Sequence, residues 1–219
     1  VSLLFFTFCY FQAMTLMSLS AAAILLYTAP AIVTLFSALL FKERLTAMKI
    51  AAVVLAFLGC ALVSGLGSGS MTLSTAGILY GLGAGFGYAM YSIFARFALE
   101  RGYSSNTINF YSCLLAAVGA ALIWGVDGVF ETAAASGGNI ALALGTGVVT
   151  CYLPYLLYTY GLTGLETGRA SIMASVEPVV ATLVGAVVFH ESMSLLAALG
   201  VVLVLSAVVL LNLRARPRV

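Results

Sequence analysis

Residues 29–43 read APAIVTLFSALLFKE, and residues 177–191 read EPVVATLVGAVVFHE. The two stretches align without a gap at an offset of 148 residues, from position 29 to position 177. Each has a proline at its second position and is apolar up to a final Phe-x-Glu, which is typical of a helix that crosses a bilayer. The chain is therefore predicted to contain two copies of one membrane-spanning unit.

The similarity between the copies extends beyond these stretches. Residues 53–55 match residues 201–203, and upstream Tyr10 matches Tyr158. Residue 1 already corresponds to residue 149, so residues 73–148 have no partner. We predict that residues 1–66 are the C-terminal three helices of a first repeat, residues 72–213 a complete second repeat of five helices, and residues 214–219 a basic cytoplasmic tail. About two N-terminal helices of a ten-helix parent are then expected to be missing; a natural eight-helix form is the alternative.

The composition indicates a membrane protein. Hydrophobic residues make up 63% of the chain and charged residues 7%, with a mean hydropathy of +1.16. Soluble domains carry about 25% charged residues, so seven acids and nine bases cannot cover a soluble globule of this size. The net charge of +2 does not support a nucleic-acid partner. The cysteines and the single histidine have no metal-ligand spacing, and neither a metal nor a cofactor is predicted.

Eight segments are apolar over about 20 residues, the length that a membrane-spanning helix needs. They cover residues 1–19, 21–41, 50–66, 76–95, 107–126, 140–165, 170–189 and 193–213. The predicted fold class is an all-α polytopic transmembrane helical bundle, with eight spans present of an inferred ten. One span contains alternating glycines, and their spacing of four, as in Gly81 and Gly85, predicts close helix packing.

The basic residues predict the orientation. Placing the loop at Lys42 in the cytoplasm puts all nine Lys and Arg residues inside. The outer loops then hold Asp127, Glu131, His190 and Glu191. This is the positive-inside pattern, and it predicts a cytoplasmic C-terminus in the plasma (bacterial inner) membrane.

The same topology places the two copies in opposite orientations, because Glu43 is then inside and Glu191 outside. Inverted five-helix repeats are typical of secondary transporters, which use them to alternate access to a site near the bilayer midplane. Glu43 and Glu191 themselves are predicted to have a structural role in the repeat motif, as caps of the following helix or organisers of the turn. Substrate binding is the alternative for both.

The two repeat cores resemble the EamA domain of the drug/metabolite transporter superfamily. The shared pattern is a helix with a mid-span proline, an apolar run ending in glutamate, a short turn and a last helix rich in Gly, Ala and Val. The resemblance covers the whole chain, which departs from the family in lacking the first two helices. It implies a transporter of small metabolites such as amino acids, nucleosides or toxic compounds, frequently outward and often coupled to protons.

Glu177 is the one formal charge well inside a predicted span. It lies about 10 Å along its helix from the cytoplasmic end, at about 1.5 Å per residue. An ionised carboxylate at that depth costs roughly 2.5–3.5 kcal/mol, which favours a group that binds and releases a proton. The small neighbours Ala174, Ala181 and Gly185 indicate an inward-facing helix surface. The alternative is a protonated side chain bonded to backbone that Pro178 frees.

Tyrosines recur inside the predicted spans. Together with Glu177, we predict that a substrate or proton pathway involves six of them: Tyr10, Tyr27, Tyr88, Tyr91, Tyr155 and Tyr158. A tyrosine hydroxyl needs a partner when it is buried, so these residues favour an aqueous cavity. The alternative is an interfacial aromatic belt, which suits Tyr80 and Tyr103 near the span ends.

Three prolines, Pro30, Pro154 and Pro178, also lie within predicted spans. Each lacks an N–H and frees a carbonyl four residues earlier; those carbonyls belong to Leu26, Thr150 and Ala174. Because two of the prolines are matched between the repeats, we predict kinks with a role in gating. The alternative is tolerated kinks satisfied by neighbouring helices.

The predicted function is a secondary transporter, and specifically an exporter, of small organic metabolites such as amino acids or drugs. It would work by alternating access, with Glu177 as the candidate for proton coupling and the lipid bilayer, the solute and protons as partners. One alternative is an intramembrane enzyme, but the sequence lacks the acid pair or Ser/His set at membrane depth that this needs, so the chain is predicted not to be an enzyme. A non-transporting structural membrane protein is the other alternative, and the oligomeric state is left open.

Overall fold

The computed structural model describes residues 1–66, 72–126, 128–129, 131, 136–190 and 193–212. Over these residues the chain is helical, and its elements are α1 (Ser2–Leu16), α2 (Leu19–Leu26), α3 (Ala29–Leu40), α4 (Ala47–Val63), α5 (Thr75–Glu100), α6 (Ser105–Trp124), α7 (Gly137–Thr146), a π-helical turn (Gly147–Tyr152), α8 (Leu153–Gly161), α9 (Thr167–Ala174), α10 (Glu177–Val188) and α11 (Leu195–Asn212). The predicted all-α polytopic bundle is confirmed.

Five helices in the described part of the chain are long and apolar enough to cross a membrane. Three of them consist of two elements in line: α2 with α3 (Leu19–Leu40), α7 with α8 (Gly138–Gly161), and α9 with α10 (Thr167–Val188). The other two are α5 and α6. The remaining predicted spans form α1, α4 and α11, which are apolar but shorter.

Helix starts follow the local sequence. Among the described residues, serine or threonine side chains accept a hydrogen bond from the first turn of six helices, as N-caps commonly do. These caps are Ser18, Thr46, Ser74, Ser104, Ser136 and Ser194. By contrast, α3 and α10 have a proline as their second residue and no side-chain cap; a proline in the first turn of a helix has no N–H that needs a partner.

The two repeat copies share one backbone pattern. α2 and α9, α3 and α10, and α4 and α11 begin at the same offset of 148 residues, for example at Ala29 and Glu177. The breaks between the half-helices, at residues 27–28 and 175–176, correspond in the same way. Even the left-handed residues match, since Lys42 and His190 both have φ of 55°. The repeat seen in the sequence is therefore also a repeat of conformation.

α4 and α11 pack antiparallel across the two repeats. A Cβ atom added to Gly59 would lie 2.7 Å from the carbonyl oxygen of Gly200, and one added to Gly200 would lie 2.6 Å from that of Gly59. The residues that match these glycines at the repeat offset, Ala207 and Ala52, are fully buried in one cluster. This reciprocal pairing is what two helices from inverted repeats are expected to make.

The glycine run of α5 packs against α1 and α2, in agreement with its spacing. A Cβ atom on Gly87 would lie 2.9 Å from the backbone nitrogen of Phe6. One on Gly85 would lie 2.6 Å from the hydroxyl of Thr28 and 3.0 Å from the carbonyl oxygen of Leu25. α5 therefore lies directly against the break between α2 and α3, where it helps to form the cavity described next.

Candidate functional site

A cavity of about 210 Å³ lies where the broken helices meet. Its described lining comes from seven helices and the π-helical turn, and consists of Phe6, Leu26, Tyr27, Ala29, Pro30, Tyr88, Thr150, Pro154, Tyr155, Tyr158, Ser171, Ala174, Ser175 and Glu177. Its volume is below the roughly 300–1,000 Å³ of sites for drug-sized ligands. The space suits a small solute, and both repeat copies contribute to it.

Glu177 is the first residue of α10 and lines this cavity. Neither a hydrogen bond nor an ion pair reaches its carboxylate from the described residues. In particular, the carboxylate makes no bond to the backbone near Pro178, which was the alternative raised from the sequence. The carboxylate is thus available to a ligand or a proton inside the cavity.

Aromatic rings form much of the cavity wall. Tyr27, Tyr88, Tyr155 and Tyr158 line it together with Phe6. Phe6 contacts Tyr88 edge to face, with ring centroids 5.6 Å apart. The hydroxyl of Tyr158 is 2.9 Å from that of Ser92 on α5, so this ring is held in place by a polar contact behind the wall.

Two of the predicted tyrosines lie outside the lining. Tyr10 stacks on Phe6, with centroids 5.8 Å apart. Tyr91 is 3% exposed, and its hydroxyl is 2.9 Å from that of Thr159 on α8. Both residues contact rings that line the cavity: Tyr10 contacts Phe6, and Tyr91 contacts Tyr155 edge to face, with ring centroids 4.9 Å apart.

The prolines mark the bends that surround the cavity. Pro30 and Pro154 line it, whereas Pro178 is buried beside Glu177. Because Pro30 and Pro178 have no N–H, the carbonyls of Leu26 and Ala174 lack the donor that a continuous helix would supply. Both Leu26 and Ala174 line the cavity.

Pro154 differs from the other two in the element that precedes it. It follows the π-helical turn, in which the N–H of Leu153 bonds five residues back, to Val148. Thr150, whose carbonyl α-helical spacing assigns to Pro154, lies within this turn and lines the cavity.

Three polar residues in or near the cavity are not among the site residues predicted from the sequence, although Asn109 stood out there as a polar residue at the start of a span. Asn109 is fully buried, and its amide donates to the carbonyl of Tyr152 at 2.9 Å, which ties α6 to the π-helical turn. Ser175 lines the cavity, and no described residue forms a hydrogen bond with its buried hydroxyl. Thr159 anchors α8 to α5. A polar residue in an apolar span is the only sequence signal for them.

A charged cluster lies at the end of α3, outside the spans. The carboxylate of Glu43 accepts hydrogen bonds from the backbone N–H groups of Thr167 at 2.7 Å and Gly168 at 3.3 Å, the first two residues of α9. Lys49 donates to the same carboxylate at 3.1 Å and pairs with Glu166 at 2.9 Å. Glu43 therefore caps a helix of the other repeat, whereas Thr46 caps the helix that follows it.

The charge state of Glu43 follows from these contacts. Burial acts to raise the pKa of its carboxyl, but the hydrogen bond and positive charge of Lys49 and the N–H donors of Thr167 and Gly168 lower that pKa below its ordinary value. Glu43 is therefore ionised at neutral pH, and Lys49, 6% exposed, is held by two acids. Glu191, the matching residue of the second copy, lies outside the described residues.

A sequence profile of the EamA-like transporter family matches residues 1–65 and 75–213. The chain belongs to this family. It is 30% identical over 201 residues to an uncharacterized transporter of Archaeoglobus fulgidus, covering 92% of this chain and 70% of the relative. It is 27% identical to the uncharacterized transporter YxxF of Bacillus subtilis. That match covers 90% of this chain and 62% of the relative.

A solved crystal structure has the same fold, with a TM-score of 0.79 at 20% sequence identity. The match covers 98% of this chain and 74% of that one. The EamA-like protein is thus an integral membrane protein of a transporter family rather than of an enzyme family.

Proposed function

We propose that this EamA-like protein is a secondary transporter that exports small organic metabolites, such as amino acids or drugs, by alternating access. The observation that carries the proposal is a cavity formed at two repeat-matched helix breaks, with Glu177, the only carboxylate among the described residues of its lining, at one of them. Discontinuous helices that meet at a central site are typical of transporters built from inverted repeats.

The repeat-related halves differ in packing, which supports alternating access. α9 packs on α3, where a Cβ atom on Gly168 would lie 3.3 Å from the hydroxyls of Ser37 and Thr34, and Glu43 caps α9 from the same side. The equivalent pair, α10 and α2, shows no comparable packing. One end of the pathway is then closed and the other open.

The basic loops indicate which side of the membrane each end of the pathway faces. With the loop at Lys42 in the cytoplasm, the closed end near Glu43 faces inward and the open end faces outward. The protein then lies in the plasma membrane with its C-terminus in the cytoplasm. If α9 separated from α3 while α10 packed on α2, the opening would move to the cytoplasmic side.

Proton coupling is assigned to Glu177. The titratable groups that face it from neighbouring helices are Tyr10, Tyr27, Cys60, Tyr88 and Tyr155. Tyrosine and cysteine side chains ordinarily titrate near 10 and 8.5, and a glutamate near 4.3, so Glu177 is the group of this set expected to exchange a proton. A proton and a solute that compete for this carboxylate would be exchanged across the membrane.

The test is solute flux in proteoliposomes that contain the 219-residue chain, measured for a panel of amino acids and amines with and without a pH gradient. We expect gradient-driven flux that Glu177→Gln uncouples from pH, whereas Glu131→Gln, an exposed carboxylate outside the cavity, leaves it unchanged. Flux that is indifferent to the gradient and to Glu177→Gln would indicate a facilitator. A folded protein with no flux of any solute would favour the structural alternative.

A further inference from the structure

We propose that the solutes of this cavity are small organic cations, whose ammonium group binds between the Glu177 carboxylate and the tyrosine faces. This inference rests on the proposed transport function and specifies its substrate class.

The charge of the lining is one-sided. Among the described residues that line the cavity, Glu177 is the only formally charged one. Two basic side chains of the described part of the chain have their partners elsewhere. Lys49 is held by Glu43 and Glu166, and the guanidinium of Arg169 donates to the carbonyl of Leu211. None of the described residues that line the cavity is positively charged, so none of them neutralises Glu177. A bound cation or a proton must neutralise this carboxylate.

The aromatic wall adds to this preference. Five rings line the cavity around one carboxylate. The face of an aromatic ring carries partial negative charge and attracts ammonium groups within about 6 Å, an arrangement that recurs in binding sites for quaternary amines. An anionic solute would meet the same faces and the same carboxylate with repulsion.

The backbone at the helix breaks offers acceptors rather than donors. Pro30 and Pro178 have no N–H, so the carbonyls of Leu26 and Ala174 lose their usual helical donors, and both residues line the cavity.

The N–H groups that follow the first break are already bonded. Those of Ala31 and Ile32 bond to the carbonyl of Thr28, so the start of α3 has little to offer a carboxylate.

The experiment compares three solutes that share a phenyl ring: 2-phenylethylammonium, phenylalanine and 3-phenylpropionate, as cation, zwitterion and anion. Binding to the detergent-solubilised chain is measured by calorimetry, and flux is measured in proteoliposomes against protein-free vesicles. We expect the cation to bind at least tenfold more tightly than the other two solutes. We expect Glu177→Gln to weaken the binding of the cation at least tenfold.

The ring contribution is tested at Tyr88. Tyr88→Phe keeps the ring and should keep the affinity for the cation within about twofold, whereas Tyr88→Leu should weaken it several-fold. Tyr111→Leu, on the exposed surface of α6, is the matched control.

The outcomes separate the two proposals. Flux of phenylalanine or phenylpropionate with no preference for the cation would overturn the cation inference and leave transport standing. Binding of the cation that depends on Glu177, without flux of any solute, would support the cation site and count against transport. Cation binding no tighter than that of the other two solutes also overturns the inference.

Discussion

Gly59 and Gly200 hold α4 and α11 at backbone contact. A methyl group at Gly59 would lie 2.7 Å from the Gly200 carbonyl oxygen and 2.9 Å from the Val204 backbone nitrogen. Because neither neighbour is a flexible side-chain end, we expect Gly59→Ala to destabilise the protein by about 1–3 kcal/mol, as overpacking does. The measurement is thermal unfolding in detergent. Gly145→Ala, which meets nothing within 4 Å, is the control and should not lower the midpoint.

Glu43 gives the stability a dependence on pH. Its folded pKa lies below the ordinary value because Lys49 and the N–H groups of α9 outweigh its burial. Its contribution is therefore present above the unfolded value of roughly 4.3 and is lost as pH falls through the lower folded pKa. We expect the unfolding midpoint to fall on acidification from pH 6 to pH 3, and Glu43→Gln to lower it at pH 7 and reduce this dependence.

A matched carboxylate provides the control for that experiment. Glu100 pairs with Arg96 at 3.0 Å but is about half exposed, and exposed pairs contribute little. Glu100→Gln should leave the midpoint and the pH profile nearly unchanged. An equal effect of both substitutions would show that the profile does not come from Glu43.

At the level of helices, α5 and α8 are joined by buried hydroxyls. Tyr91 and Thr159 lie 2.9 Å apart, with 3% and 0% exposure. Hydrogen bonds between membrane helices contribute about 0.6 kcal/mol on average and at most about 1.7. We expect a double-mutant cycle with Tyr91→Phe and Thr159→Val to give a coupling energy in that range.

The control cycle pairs Thr159→Val with Tyr111→Phe. Tyr111 is exposed on α6, and residues that are not in contact usually have additive effects. A coupling energy near zero in the first cycle would mean that the hydroxyls do not join the two helices in solution.

The break between α2 and α3 is expected to act in transport. Pro30→Ala restores an N–H that can donate to the Leu26 carbonyl, so the two half-helices can form one straight helix. We expect flux to fall several-fold while the thermal midpoint is unchanged or higher, because a buried acceptor gains a donor. Undiminished flux with the wild-type midpoint would assign Pro30 to a tolerated kink.

For the protein as a whole, the contact of α9 with α3 is proposed to close the cytoplasmic end. Gly168 and Ser37 are close enough for a disulfide after substitution, since a Cβ atom on Gly168 would lie 3.3 Å from the Ser37 hydroxyl. In a chain that carries serine at Cys113 and Cys151, oxidation of Ser37→Cys/Gly168→Cys should abolish flux, and a reductant should restore it.

Each single cysteine variant serves as the control and should transport equally in both redox states. Full flux in the oxidised double variant would show that α9 and α3 stay together throughout transport. That result would place the inward opening between other helices.

Much of the architecture could be predicted from the sequence. Apolar segments of about 20 residues form helices because an unpaired backbone group cannot stay in lipid, and prolines break them because they lack a donor. Both effects are local, so the helical bundle, the repeat offset and the bends at Pro30 and Pro178 could be predicted from the sequence. The same holds for Glu177, a charge in an apolar span.

The assignment of individual side chains depended on how the helices pack. Tyr88 and Tyr91 are neighbours on one helical row, yet Tyr88 lines the cavity and Tyr91 is buried against α8. Which side chain of a row faces a cavity depends on the rotation of each helix about its axis, and hydropathy alone does not report that rotation.

The charged cluster depended still more on the tertiary structure. Glu43 caps a helix that begins 124 residues later, at Thr167, rather than its own neighbour, and Lys49 is buried because Glu43 and Glu166 converge on it. The local sequence predicts a polar turn at these positions. Only the approach of the two repeats turns it into a buried ion pair, because the partners come from distant parts of the chain.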